Sequence, residues 1–324
     1  MQVQSFVRSR KVAVAMGLVL PILAGVVFEQ IGQRLDRRRY PQIGQSVDIG
    51  GRTLNIFCSG QGGPAVVFDT YGHMSGYSWN AVQSEVAKFN RACWYDRAAY
   101  GWSEPGPMPP TYHSVASDLH ALLQAARVPP PYVFVGASEA TFHIRVFHGL
   151  YPTEVGGVVM ANAFDVGSPS TALPAFVKSF WAYRFGSIVP AMRTAGCLAF
   201  PTFARIGLVR LVGLFQSLRP TPAFGLEPEE QQKLDFLSDN PTAERGGEAC
   251  TRVEGAEQVR AAGSLGDRPL IVLASAQAAT AAENDPGLAR LSSRGRLVVV
   301  EDRITAGAIV SAVRDVVNAM ATQQ

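Results

Sequence analysis

Gly136-Ala137-Ser138-Glu139-Ala140 constrains this chain more than any other stretch. Tyr132 to Val135 before it form a short apolar run that reads as a β-strand. Phe142, Val146 and Leu150 after it recur at four-residue steps, which reads as a helix. A serine between a strand and a helix, with small residues around it, sits on a sharp turn that lifts its hydroxyl above a sheet edge. That hydroxyl becomes a nucleophile only when a base takes its proton, and the usual base is histidine. The chain has 5 histidines, and none follows His148.

The 324 residues suffice for one large α/β domain with an insertion, or for two ordinary domains. A hydrophobic content of 47% supports a full core. The net charge is only +3, and much of the basic excess lies near the N-terminus, in Arg8, Arg10, Lys11, Arg34, Arg37, Arg38 and Arg39. No basic face remains that would suit nucleic acid, so no nucleic-acid partner is expected. Residues 12–28 are uncharged and almost wholly apolar. That is the short end of the roughly 17–25 residues a spanning helix needs. Pro21 is tolerable in lipid. A cleaved signal peptide is the rival reading, but no clear small-x-small site follows the run. The expectation is a retained membrane anchor over residues 1–32, a basic tether over 33–45, and a globular domain on the exported side. Arginines flank both ends of the run, so they orient it only weakly.

Alternation of short apolar runs and helical patterns continues along the chain. Ser46–Ile49 and Arg52–Cys58 read as a hairpin turned at Gly50-Gly51. Ala65–Phe68, Ala92–Tyr95, Tyr132–Val135, Val155–Ala161, Leu270–Leu273 and Leu297–Val300 read as further strands. Trp79–Phe89, His113–Ala126, Ala140–Leu150 and Ile309–Met320 read as helices. Such alternation implies a mostly parallel sheet covered on both faces. Residues 165–265 break the rhythm and read as a helical insertion, either a plain cover or a cap over an apolar pocket. The core is then 46–164 together with 266–324. Cys58 and Cys93 end and open strands at a spacing unlike a zinc site, and as residues alone they read equally as small buried hydrophobes.

Several stretches in this order resemble the α/β-hydrolase superfamily. They are Val47-Asp48-Ile49-Gly50-Gly51, Cys93-Trp94-Tyr95-Asp96-Arg97 running to Gly101-Trp102-Ser103-Glu104-Pro105-Gly106-Pro107, Asp118-Leu119-His120, Tyr132 to Ser138, and Tyr151-Pro152. The resemblance is greatest to the bacterial membrane-anchored branch with an esterase-like or peptidase-like core. It implies an α/β-hydrolase fold: an eight-stranded, mostly parallel sheet in the order 1-2-4-3-5-6-7-8, strand two antiparallel, with a helical cap inserted after strand six. Strands two and four would then be neighbours, and Cys58 and Cys93 would be able to form a disulfide suited to an exported domain. Ser138 would be the nucleophile. Glu139, with Tyr71 or Gly72, would supply oxyanion-hole N–H groups.

The chain also departs from that pattern. Ala137 and Ala140 stand where the family usually has histidine and glycine. The Glu139 side chain brings a negative charge to a site meant for an anion, unless it faces solvent or a basic partner. Counting from Val300-Glu301, the family histidine position falls on Thr305, and a family acid position at the end of strand six holds Asn162. Glu283 and Asp285 are the first carboxylates after strand seven. Among the histidines, His73 borders the nucleophile and is the one candidate for a substitute base. His143 lies about 7.5 Å along the helix from Ser138 and should point to core or flank, while His113 and His120 should face the surface. No metal-ligand cluster or phosphate loop is evident, so no metal or cofactor is expected. The reading is a serine-hydrolase-type fold with a degenerate triad and impaired or lost hydrolysis, kept as a membrane-anchored binding or scaffold module. The alternative is an active serine hydrolase on an ester or amide, with His73 as base. Either would take a small, apolar, ester-like or amide-like ligand.

Overall fold

In β5 (Tyr132–Ala137) side chains alternate between two cores. Tyr132 and Phe134 join one apolar cluster, while Val133, Val135 and Ala137 join another. The neighbouring strand β3 (Ala65–Asp69) divides in the same way, Val67 to one side and Val66 and Phe68 to the other. Strands buried on both faces read as continuous apolar runs, which is why they are legible in the sequence. The computed structural model of the chain describes residues 2–70, 74–107, 110–165, 202–203, 206–213, 255–276 and 286–322.

Eight strands form one sheet. The others are β1 (Gln45–Asp48), β2 (Thr53–Ser59), β4 (Ala92–Tyr95), β6 (Val155–Ala161), β7 (Leu270–Ser275) and β8 (Gly295–Val300). Their order is β1-β2-β4-β3-β5-β6-β7-β8. β2 runs antiparallel to both β1 and β4, and the remaining pairings are parallel. The expected sheet is therefore present, in the expected order.

Helices α3 (Tyr112–Ala125) and α4 (Ala140–Leu150) pack on one face, and α2 (Asn80–Val86) and the last helix, α7 (Ala306–Ala321), on the other. Register places Cys58 opposite Cys93 in the β2–β4 pair, and the two are joined as a disulfide.

At the N-terminus a helix, α1, runs from Gln2 to Arg39 with Pro21 inside it. It extends well past residue 28, into the stretch expected to be a basic tether. Arginine is a good helix former, and Arg37, Arg38 and Arg39 in the last turn complement the helix dipole. Glu29 on α1 is buried and pairs with Arg210 of the short helix α5 (Leu208–Gly213), Arg210 Nε lying 2.9 Å from Oε2. No helix among the described residues is long and apolar enough to cross a membrane. Most of the expected 165–265 insertion lies outside the described residues; α5 and a helical segment, α6, over 255–261 belong to it.

Candidate active site

Ser138 follows β5 directly and precedes α4, at a backbone φ of +53°. An L-residue held there stores about 1–3 kcal/mol of strain, which persists only where the surroundings fix it. Three contacts fix it. Ser138 N donates to Ala161 O at 2.9 Å, and Thr141 N and Oγ1 both donate back to Ser138 O, at 3.2 and 2.7 Å. Gly136 permits the tight return, because a Cβ there would come within 2.5 Å of Ile144 Cδ1 on α4. The turn leaves Ser138 partly exposed between the buried Ala137 and Glu139. Ser138 thus stands at the expected turn between strand and helix.

Glu139 stands at the N-cap of α4 without capping it through its side chain. The carboxylate is instead buried and accepts a 2.8 Å hydrogen bond from the Tyr112 hydroxyl. It does not face solvent, the simplest expectation for such a residue. Sequence reasoning missed Tyr112 because it comes from α3, and a single tyrosine there carries no local signal.

The other anticipated positions are distributed as follows. Thr305 caps α7, its hydroxyl accepting from Ala308 N at 3.2 Å. Asn162 follows β6 at φ +48°, is exposed, and binds Leu273 O through its backbone N–H. Tyr71, Gly72, His73, Glu283 and Asp285 lie outside the described residues. Of the described histidines, none hydrogen-bonds Ser138. His113 is exposed. His120 stacks on Tyr151 and meets Glu154 at 3.1 Å. His148 is buried on α4, and burial followed by the charge of Arg268 lowers its pKa.

His143 occupies the most developed polar setting. Residues 140–148 of α4 are all buried, so each polar side chain there needs a partner inside the protein. His143 finds one across the fold: its Nδ1 lies 2.9 Å from Asp69 Oδ2, at the end of β3. Both side chains are shut from solvent, at 3% and 0% exposure. Asp69 Oδ1 also accepts from the Tyr95 hydroxyl at 3.1 Å, and its backbone carbonyl accepts from Trp79 Nε1 at 3.0 Å. Burial, reinforced by the Asp69 charge, pushes the Tyr95 hydroxyl well above its ordinary pKa.

A second buried carboxylate, Asp96, fixes the loop after β4. Oδ1 accepts from Ser75 Oγ at 2.6 Å and Gly76 N at 2.8 Å, and Oδ2 from Asn55 Nδ2 at 2.9 Å and Trp102 N at 3.1 Å. Burial raises its pKa, and these four donors oppose the rise. Asp96 thus organises the Gly101-Trp102-Ser103 stretch; its role is structural. Among the described residues no cluster of histidines, cysteines and carboxylates could hold a metal ion.

The eight-stranded, mostly parallel sheet agrees with solved structures that align over most of the chain. An enol-lactonase from Burkholderia xenovorans is 17% identical with a TM-score of 0.54, covering 85% of this chain and 100% of that one. A haloalkane dehalogenase variant from Bradyrhizobium elkanii is 15% identical with a TM-score of 0.62, covering 86% and 99%. The chain has an α/β-hydrolase fold. At these identities the likeness speaks for the fold alone. In sequence, an uncharacterized Bacillus subtilis protein, YbdG, is 27% identical over 133 residues, 39% of this chain and 38% of that protein. An uncharacterized vacuolar membrane protein of Saccharomyces cerevisiae is 33% identical over 88 residues, 26% of this chain and 14% of that protein. The α/β-hydrolase-fold chain thus spans well under half the length of these relatives. No protein-family model matches it.

Proposed function

We propose that this protein is a serine-hydrolase-type module whose nucleophile is held in place without an activating base, and that it binds a small, apolar, ester-like or amide-like ligand. Thr305 carries this reading. At the position corresponding to the family histidine, its side chain caps a helix, and a threonine hydroxyl cannot accept a proton near neutral pH. Removing the histidine of a serine-protease triad lowers turnover by about a million-fold. The buried Glu139 carboxylate supports the same conclusion, because negative charge beside an oxyanion site opposes the transition state. The test is a fluorophosphonate probe, which reacts with activated serines. Ser138 should label very slowly. Rapid labelling, abolished by Ser138→Ala, would overturn the proposal.

One observation favours a second reading, an active hydrolase on an ester or amide. The φ of +53° at Ser138 is a strain that a purely structural turn has no need to keep at a serine. The base would then be His73. In that case Ser138 labels rapidly, and His73→Ala abolishes the labelling as Ser138→Ala does.

We further propose that α1 holds the protein at a membrane, with the folded domain on the exported side. Residues 12–28 carry no charge, and Val19, Leu20, Ile22, Leu23, Val27 and Phe28 are exposed. A Cys58–Cys93 disulfide suits an oxidising compartment. Vesicle flotation of the full chain and of a form lacking residues 1–32 tests it. The full chain should float and the shortened one should not. Flotation of both, or of neither, would overturn it.

A further inference from the structure

His143 has a second face that the Ser138 site does not use. Its ring lines a pocket, partly open to solvent, between the loop after β4 and the N-terminal half of α3. Ser138 is not among the lining residues. Tyr100, Pro107, Pro110, Tyr112 and Val115 supply the apolar wall. Nδ1 of His143 is taken by Asp69. A buried carboxylate only accepts, so the proton of this bond sits on Nδ1, and in the neutral ring Nε2 then carries a lone pair. Nε2 makes no hydrogen bond among the described residues.

Two of the carboxylates around the cavity already have partners. Asp118 pairs with Arg52. Glu139 is bound by the Tyr112 hydroxyl, which leaves that ring to form the wall. Arg97 lies over the Tyr100 ring at 4.9 Å, and its charge opposes the Asp69 effect on Tyr95. The wall is largely apolar, so an uncharged ligand loses less hydration on entering it than an ionic one. A planar ring between tyrosines and prolines matches the wall, and an O–H donor matches Nε2.

We propose that this cavity is a second ligand site, separate from Ser138, which takes a small uncharged phenol-class molecule with its hydroxyl donated to His143 Nε2. The site stands whether or not Ser138 is activated. Asp69 is a positioning residue in it, holding the imidazole in one tautomer and one orientation, as buried carboxylates do for histidines elsewhere.

Ligand-observed NMR titration of the full chain with phenol, and with toluene as its isostere lacking the hydroxyl, tests the proposal. Phenol should bind about tenfold more tightly than toluene, the worth of one hydrogen bond to an otherwise empty buried acceptor. His143→Leu should erase that preference. Because this change also strips Asp69 of a partner and can impair folding, Val115→Phe serves as the second variant. It fills the cavity without touching the Asp69 pair and should abolish binding of both probes. Ser138→Ala should alter neither affinity. Equal affinities for the two probes, no binding of either at millimolar concentration, or binding that survives Val115→Phe would overturn the proposal. So would a phenol preference lost in Ser138→Ala, which would place the probe at the serine.

Discussion

The Tyr112 hydroxyl donates to the Glu139 carboxylate at 2.8 Å, tying the first turn of α3 to the residue that follows Ser138. Through this bond a helix distant in sequence holds a buried negative charge beside the elbow. Tyr112→Phe keeps the ring and deletes one donor from that carboxylate. It should lower unfolding stability by about 1–3 kcal/mol, the range for removing a hydrogen bond to a buried charged group. Urea denaturation measures this. A change below about 0.3 kcal/mol would show that the bond contributes nothing net.

The disulfide should stabilise chiefly through the unfolded chain. Cys58 and Cys93 are 35 residues apart in sequence yet directly opposite in the β2–β4 ladder. The paired Cys58→Ser, Cys93→Ser variant should lose about 2–4 kcal/mol. It should keep its sheet, because ladder hydrogen bonds and flanking Trp94 and Ile56 already hold the two strands together. Circular dichroism through a thermal melt reports both properties. A variant already unfolded at room temperature would assign the disulfide a larger role.

How much of this was legible in the sequence follows from how far each signal reaches. Strands such as β5 and β3 announce themselves because burial on both faces leaves unbroken apolar runs. The serine elbow is equally local, since small residues and a change of period mark it within a few positions. The sheet order and the Cys58–Cys93 pairing required the family resemblance as well. The Asp69–His143 pair was not legible. Its members are 74 residues apart, and either alone reads as an ordinary polar residue. Only the β3–β5 pairing, with Asp69 beside Gly136, brings the first turns of α4 against the end of β3. Glu139 was misleading for the same reason: the tyrosine that permits its burial lies on another helix. The C-terminal extent of α1 was hidden because an arginine-rich stretch fits a solvated tether and a helix end equally well.

Asp96 makes a prediction with a definite sign in pH. Its four donors come from Ser75, Gly76, Asn55 and Trp102. Asp96→Asn would turn an NH₂ group toward donors. At neutral pH the variant should be less stable by about 1–3 kcal/mol, although it relieves the burial of a charge. Burial places the folded pKa above the ordinary aspartate value of 3.8. Between 3.8 and the folded value the folded state holds more protons than the unfolded one. The Asp96 contribution to stability is therefore fully present below that window and diminishes as pH rises through it. The difference between wild type and Asp96→Asn should accordingly be larger at the acid end of the window than above it. Paired denaturation curves across that range would refute this if the difference grew with rising pH.

Thr305 has a structural role of its own. Its hydroxyl accepts from Ala308 N, and it is exposed at the start of α7, whose Ile309, Ala312, Val313 and Val316 are buried against the sheet. Thr305→Ala should cost about 1 kcal/mol through loss of the cap. Thr305→His removes the same cap and should cost a similar amount. Among the described residues no carboxylate is bonded to Thr305, so none of them would fix the tautomer of a new imidazole or its aim at Ser138. In a serine protease, loss of the orienting aspartate alone lowers turnover by about 10⁴-fold. Fluorophosphonate labelling of Ser138 in Thr305→His should therefore stay within about tenfold of the unmodified protein. A much larger acceleration, lost again in Thr305→His combined with Ser138→Ala, would mean that the elbow lacks nothing but the base, and that an acid already stands ready to orient it.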